Sequence, residues 1–552
     1  MEKIWLASYP PHVPAEIRPE DYSSLAALLE ESFAKYADRT AYISMGRSIT
    51  YRELDQLSRD FAAGLQSLGV ARGSRVALMM PNLLQYPVCL FGLLRAGCVA
   101  VNCNPLYTSH ELHHQLQDSG AQTIVVVENF AATVQQALPG TSIRNVIVTR
   151  MGDLLGFPKG ALVDFVVKRI KKLVPEWHIP QALRLHDVMT RGRQGKFRRV
   201  DLGPQDLAFL QYTGGTTGVA KGAMLSHRNI VSNVLQARAW TASAVRNTQE
   251  LVVTALPLYH IFALTANCLL FIVTGNTNLL IVNARDIPNL VKELGRNPFT
   301  IITGVNTLFN ALLNNADFRA LDFSRLRLTL GGGMAVQASV AQRWEQATGM
   351  PLIQAYGLTE TSPGAAVNPL DQKHFNGAIG LPISSTEIAI RDDAGHDLPL
   401  GEVGEICIRG PQVMQGYWHQ PDETAHVLGA DGFLRTGDLG YMDPHGYVFL
   451  VDRKKDMILV SGFNVYPNEV EDAVSLHPGV REVAAIGVPS EHSGEVVKII
   501  VVRKDPNLTA EALIEHCRGH LTNYKVPRVV EFRDELPHTN VGKVLRRALK
   551  ES

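Results

Sequence analysis

Residues 50–80 read TYRELDQLSRDFAAGLQSLGVARGSRVALMM, and this stretch decides the fold. Thr50-Tyr51-Arg52-Glu53 has the spacing of a capping box, in which the Thr and Glu side chains satisfy each other's free backbone N–H groups. Leu54, Leu57, Phe61, Leu65 and Leu68 then fall on one helical face, and Gly69 stops the helix. Val76-Ala77-Leu78-Met79-Met80 has no polar alternation, so it reads as a strand buried on both faces. The pattern repeats downstream: an apolar helix, a strand near Val99, a helix over residues 111–118, and a strand over Thr123–Val127. Strand and helix in alternation imply a parallel α/β sheet.

Working outward, residues 150–200 break the pattern. They carry Lys168, Arg169, Lys171, Lys172, Arg191, Arg193, Lys196, Arg198 and Arg199 and read as a basic surface insertion. The α/β pattern resumes near Leu207 and runs to about residue 390. Gly-rich turns separate short β runs from 400 to 450, which predicts a small β subdomain. Beyond Asp452, strands at residues 457–460, 483–488 and 496–502 alternate with helices opened by Asn468 and Thr509, a compact α+β unit of ordinary domain size. The expected fold class is α/β. A large domain (1–452) of parallel α/β subdomains plus a β subdomain precedes a small mobile α+β domain (453–552), joined through Asp452-Arg453-Lys454-Lys455-Asp456.

The 53 basic and 53 acidic side chains cancel, so no global field favours nucleic acid. Six cysteines without a CxxC pair read as reduced, buried thiols of a cytoplasmic protein. Residues 251–283 carry no charge, but Pro257, Gly275 and β-branched clusters make them buried strands rather than a membrane span. Residues 161–174, ALVDFVVKRIKKLV, place Val163, Val166, Val167, Ile170 and Val174 on one helical face and four cations around the rest. Such a helix suits either packing on the protein or peripheral contact with an anionic membrane surface, here the inner face of the cell membrane.

The chemistry begins at Tyr212-Thr213-Gly214-Gly215-Thr216-Thr217-Gly218-Val219-Ala220-Lys221-Gly222. Glycines let the backbone turn its N–H groups toward one point, and hydroxyls and an ammonium add donors, a combination suited to polyphosphate. It is not a Walker A loop, because Lys221 is followed by Gly222 rather than Ser or Thr.

With Tyr356-Gly357-Leu358-Thr359-Glu360, Thr436-Gly437-Asp438, the Asp452–Asp456 strip and Gly542-Lys543 following in order, the chain resembles the adenylate-forming superfamily of acyl-CoA synthetases, luciferases and adenylation domains. Within it, MMPNLLQYPV, LPLYHIFAL, ITGVNTLFNALLNN and VDRKKDMILVSGFNVYPNE resemble bacterial long-chain fatty-acid–CoA ligases. The resemblance implies that fatty acid, ATP and coenzyme A are substrates and Mg²⁺ a cofactor. Thr213, Gly214, Gly215, Thr216, Thr217, Gly218 and Lys221 would hold the phosphates, and Gly331, Gly332 and Gly333 would let the backbone approach the nucleotide. Tyr356 and Gly357 would face adenine, and Asp438 and Arg453 the ribose. Thr359 would bind the α-phosphate and Glu360 the metal. Lys543 would enter the cleft during adenylation, and Lys455 marks the hinge. Ser461, Gly462, Phe463 and Asn464 would line the pantetheine tunnel after the small domain rotates. Tyr259, His260, Phe262, Gly304 and Val305 are the expected acyl-pocket residues. A homodimer is the expected assembly. The competing expectations are a synthetase for medium-chain or aryl acids, and a membrane-recruited lipid-binding protein without catalysis.

Overall fold

The computed structural model describes residues 2–213, 220–245, 249–490, 493–539 and 542–550, whose strands form four sheets. The helix foreseen from the capping box spans Tyr51–Ser67, and Thr50 and Glu53 cap it reciprocally. Arg75–Met79 follows as a strand. It is the centre of a seven-stranded sheet, flanked in parallel by Val99–Asn102 and Thr123–Val127. Leu207–Tyr212 and Gly222–Ser226 close that sheet as an antiparallel pair, with residues 214–219 of the turn outside the described ones.

A nine-stranded sheet packs beside it. Its parallel centre runs Leu352–Gly357, Leu328–Gly331, Ile301–Gly304, Leu251–Thr254, Thr277–Leu280 and Thr40–Ser44. The uncharged stretch 251–283 thus supplies two central strands and the apolar helical turns between them. No helix among the described residues is long and apolar enough to cross a membrane. A four-stranded antiparallel sheet, Glu387–Arg391, Gly404–Arg409, Leu434–Met442 and Val448–Arg453, is the expected β subdomain.

Beyond it a five-stranded sheet carries the helices Pro467–Ser475 and Ala510–Arg518. Its core of Ile458, Val465, Val470, Ile499 and Leu513 is separate from the cores of the preceding sheets.

Two local expectations change. The basic segment is not merely an insertion on the surface. Leu183–Arg184 pairs with Asn145–Thr149 as an edge strand, and helix Leu185–Gln194 lies against Tyr51–Ser67. A β-carbon on Gly192 would sit 1.8 Å from the Asp60 carbonyl and one on Gly64 2.4 Å from that of Val188, so glycine on both helices permits the close approach. Asn468 does not cap its helix, whose N-cap is Tyr466 with no side-chain bond. Its side-chain carbonyl accepts from Arg546 at 2.8 Å, and its backbone N–H donates to Asp452 at 2.8 Å.

Candidate active site

The loops that leave the C-terminal ends of Ile301–Gly304, Leu328–Gly331 and Leu352–Gly357 open into one cavity of about 1780 Å³. This is where open α/β sheets place ligands, because consecutive loops splay apart there. The β subdomain forms a second wall through Thr436, Gly437 and Asp438, and the small domain a third through Asp472, Lys543 and Arg546.

Asp438 lies buried at the junction. The Tyr356 hydroxyl donates to its Oδ2 at 2.7 Å, and Arg453 Nε pairs with Oδ1 at 3.2 Å. Burial first, and the neighbouring Asp438 charge second, hold the Tyr356 phenol well above its ordinary value, so it stays a donor. Glu360 follows in a short turn, Thr359–Thr361, and accepts from the Tyr417 hydroxyl at 2.7 Å. Tyr417 also lies 5.2 Å from Lys221 Nζ, whose ammonium pairs with Glu423. Thr213 and Lys221 are tied by a backbone bond of 2.9 Å and both line the cavity. Gly214, Gly215, Thr216, Thr217 and Gly218 lie outside the described residues.

Lys543 reaches this junction from the small domain. Its loop is fastened to the large domain by Thr307, whose hydroxyl donates to the Gly542 carbonyl at 2.9 Å. A β-carbon on Gly542 would stand 2.7 Å from that hydroxyl oxygen, and φ is +81°, so the docking requires glycine. Lys543 Nζ is pulled down to about 8 by burial and then by Arg453, with Asp438 and Glu360 acting in the opposite sense. Next to it His260 is held to about 3 by burial and the Lys543 charge, so the imidazole is neutral.

Behind Lys543, Arg546 is the knot between the domains. It donates to Glu471 at 2.8 Å and lies 3.6 Å from Asp452, the buried carboxylate at the end of the large domain's last strand. Burial lifts Asp452 to about 6, opposed by Arg546. Lys455 lines the cavity in the turn after Arg453, and Lys454 pairs with Asp393 rather than floating free.

Of the three glycines, Gly332 and Gly333 line the cavity, while Gly331 sits in its strand against Leu352 and Val336. Gly357 lines it too, but a β-carbon there would lie 1.9 Å from the Pro363 carbonyl, so hairpin packing already demands glycine. Tyr259, His260 and Phe262 line the cavity. Gly304 and Val305 do not: the Phe309 ring covers Gly304, and Val305 packs toward Gly333 and Gly542. Ser461, Gly462, Phe463 and Asn464 are exposed and lie away from the cavity, with Phe463 stacked on Tyr524 at 4.8 Å.

The sequence reading missed the apolar part of the wall: Trp240, Ala266, Leu270, Leu330 and Ile383. Each looks like ordinary core in one sequence. Trp240 has one distinguishing mark, a buried indole N–H with no partner among the described residues. Thr307 and Arg546, which seat the Lys543 loop, were also missed.

Comparison with known proteins finds relatives along the whole chain. A family model described as AMP-binding enzyme matches residues 29–418, and one described as AMP-binding enzyme C-terminal domain matches residues 469–543. A long-chain-fatty-acid–CoA ligase of Yersinia pestis is 60% identical over all of this chain and 98% of its own length. The structure of anthranilate CoA ligase AuaEII with anthranoyl-AMP matches with a TM-score of 0.84 at 26% identity, covering 97% of this chain and 98% of that one. ATP-bound MatB from Rhodopseudomonas palustris matches with a TM-score of 0.82 and its apo form with 0.72, both at 30% identity and covering 95% of this chain and 98% of theirs.

Proposed function

The chain belongs to the AMP-binding enzyme family, and from that premise we propose how it works as an AMP-forming long-chain-fatty-acid–CoA ligase. A carboxylate resists thiols because its charge repels nucleophiles and oxide is a poor leaving group. In the first step a carboxylate oxygen attacks the α-phosphorus of ATP, a P–O bond forms, and the bond to pyrophosphate breaks. In the second step the thiolate of coenzyme A attacks the acyl carbon of the mixed anhydride. The C–S bond forms, the C–O bond to AMP breaks, and the thiol proton goes to solvent.

The observation that carries this reading is the meeting of Lys543 with Asp438, Glu360 and Arg453 in a cavity that continues into an apolar wall. Negative charge gathers on the phosphate in the first step, and a fixed ammonium stabilises it there without reorganisation. Asp438, with Arg453 at its side, is the ribose acceptor, since a carboxylate accepts more than one hydrogen bond. Tyr356 holds Asp438 in place and offers its ring to adenine. Lys221, now on Glu423, turns to the phosphates with Thr213 and the loop of residues 214–218. Thr359 donates to the α-phosphate.

Mg²⁺ fits the donors present. Among the described residues no cluster of three or more metal-ligating side chains exists, but Glu360 projects one carboxylate, and Mg²⁺ binds phosphate oxygens and waters with one or two carboxylates. Glu360 would hold it, and the ion would neutralise the departing pyrophosphate.

Lys543 and the loop of residues 461–464 lie on the same domain, one at the cavity and the other away from it. A turn about Lys455 would exchange them, bringing Gly462 to a pantetheine tunnel as Lys543 withdraws. The better match to the ATP-bound than to the apo form of MatB supports reading the present arrangement as the adenylating one. The acyl chain would lie along Phe262, Ala266, Leu270, Trp240 and Ile383. Peripheral contact with the inner face of the cell membrane, supply of thioesters to fatty-acid breakdown, and a homodimeric assembly complete the reading.

The test is acid-dependent ATP–pyrophosphate exchange with fatty acids of graded length and an aryl acid. Exchange greatest with long chains is expected. Exchange greatest with medium-chain or aryl acids would move the specificity to them, and exchange with none would leave a lipid-binding protein.

A further inference from the structure

Resting on the reading that the substrate is a membrane-dissolved acid, we propose that residues 157–173 are an insertion tip for an anionic bilayer. The inserting side chains are not the stripe that helical periodicity selects. Val163 packs on the main core and Val166, Val167 and Val174 are partly covered. Of that stripe only Ile170 faces outward. The solvent-facing set is instead Phe157, 93% exposed, Leu162 at 62%, Phe165 at 56%, Ile170 at 64% and Leu173 at 52%. The other exposed large apolar side chains among the described residues are scattered over both domains, whereas these five fall within seventeen positions, 157–173. A concentration of this kind marks an interaction site.

The segment is fixed, so this outward face is built rather than incidental. Gly160 packs directly on Gly152, and the Gly152 N–H donates to Asp164 Oδ1 at 2.8 Å. Lys168 reaches the buried Glu128 at 3.0 Å, and Asn129 donates to the Leu173 carbonyl at 3.1 Å. Asp164, the one carboxylate in 157–173, is thereby turned inward. Arg169, Lys171 and Lys172 are exposed and, among the described residues, form no ion pair.

A bilayer fits this pattern better than a protein partner does. Cations interleaved with apolar side chains meet phosphates and acyl chains at the same depth of a membrane boundary. The core of a protein interface is depleted of such charges. Each cation adds about 1 kcal/mol at an anionic surface, so removing three of them lowers binding on the order of a hundredfold, and reversing them to carboxylates lowers it further.

The experiment is co-sedimentation of the full chain with vesicles of two parts phosphatidylcholine to one part phosphatidylglycerol, without ATP, acid or coenzyme A. Two variants are compared with wild type: Phe157→Ser/Leu162→Ser/Phe165→Ser and Arg169→Glu/Lys171→Glu/Lys172→Glu. Their circular-dichroism spectra and thermal melting in vesicle-free solution should match wild type, which shows that both fold. Loss of vesicle binding in both variants is expected. A wild type that does not sediment, or variants that sediment equally, overturns the proposal. So does vesicle-free self-association that both variants abolish while vesicle binding persists, which would assign the patch to a second copy of the chain. Because binding is read without substrates, its failure leaves the ligase reading standing, and a failed ligase assay leaves the vesicle result standing.

Discussion

Lys543→Ala should separate the two half-reactions. In the substrate-free site the Lys543 ammonium is drawn from 10.5 to about 8, chiefly by burial. At 1.36 kcal/mol per unit, that is about 3 kcal/mol against the charge, which the negative charge of ATP and the fatty carboxylate would reverse. Removing one positioned donor to developing charge typically costs about 10²–10³ in rate. ATP–pyrophosphate exchange should therefore fall by about that factor, while thioester formation from supplied acyl-adenylate stays near wild type. The ammonium is the required form, so it is present well below pH 8 and is lost as pH rises through about 8. Exchange kcat/KM should accordingly decline on the alkaline side of pH 8, and Lys543→Arg, which keeps its charge, should flatten that limb. Near-normal exchange in Lys543→Ala would refute the reasoning. Equal loss of both half-reactions would show instead that the domain no longer docks.

Gly462→Leu is expected to do the reverse, sparing pyrophosphate exchange and blocking thiolation. No atom lies within 4 Å of the added β-carbon and φ is +82°, so the local strain is about 1–2 kcal/mol, too little to unfold the domain; a defect confined to exchange would count against the tunnel. Glu360→Ala should raise the Mg²⁺ concentration needed for half-maximal exchange and lower the maximum. An unchanged Mg²⁺ titration would remove Glu360 as a ligand. Trp240→Ala should shift the preferred acid toward longer or bulkier chains, read as kcat/KM across a graded series. An unaltered profile would place the acyl chain elsewhere in the cavity.

Most of the fold was legible because its signals are local. The Thr50/Glu53 box, the strand at Thr123–Val127 and the helix capped by Thr509 depend on residues a few positions apart. What escaped depends on contacts distant in the chain. Asn468 has the chemistry of a cap, yet Arg546, seventy-eight positions on, takes its side chain. The helix Leu185–Gln194 looked like a solvated basic insert because the packing of Gly64 and Gly192 cannot be seen in either segment alone. At the cavity, polar motif residues announced themselves by type and order, while Trp240 and Ile383 did not, since an apolar cavity wall and a core share one composition. Periodicity also found a helix at 161–174, but the structure ends it at Ile170 (Lys159–Phe165, then a wider turn over Val166–Ile170) rather than at Val174. Nor could periodicity tell which of its faces the body covers; Val163 is packed and Phe165 free.

The central claim is that the acyl group passes through AMP. A long-chain acid carrying ¹⁸O in both carboxylate oxygens, turned over with ATP and coenzyme A, tests it most directly when the AMP released is weighed by mass spectrometry. In-line attack by the carboxylate on the α-phosphorus, followed by C–O cleavage by the thiol, predicts one heavy oxygen in each AMP and none in pyrophosphate. Unlabelled AMP, or label recovered in inorganic phosphate with release of ADP, would contradict the account.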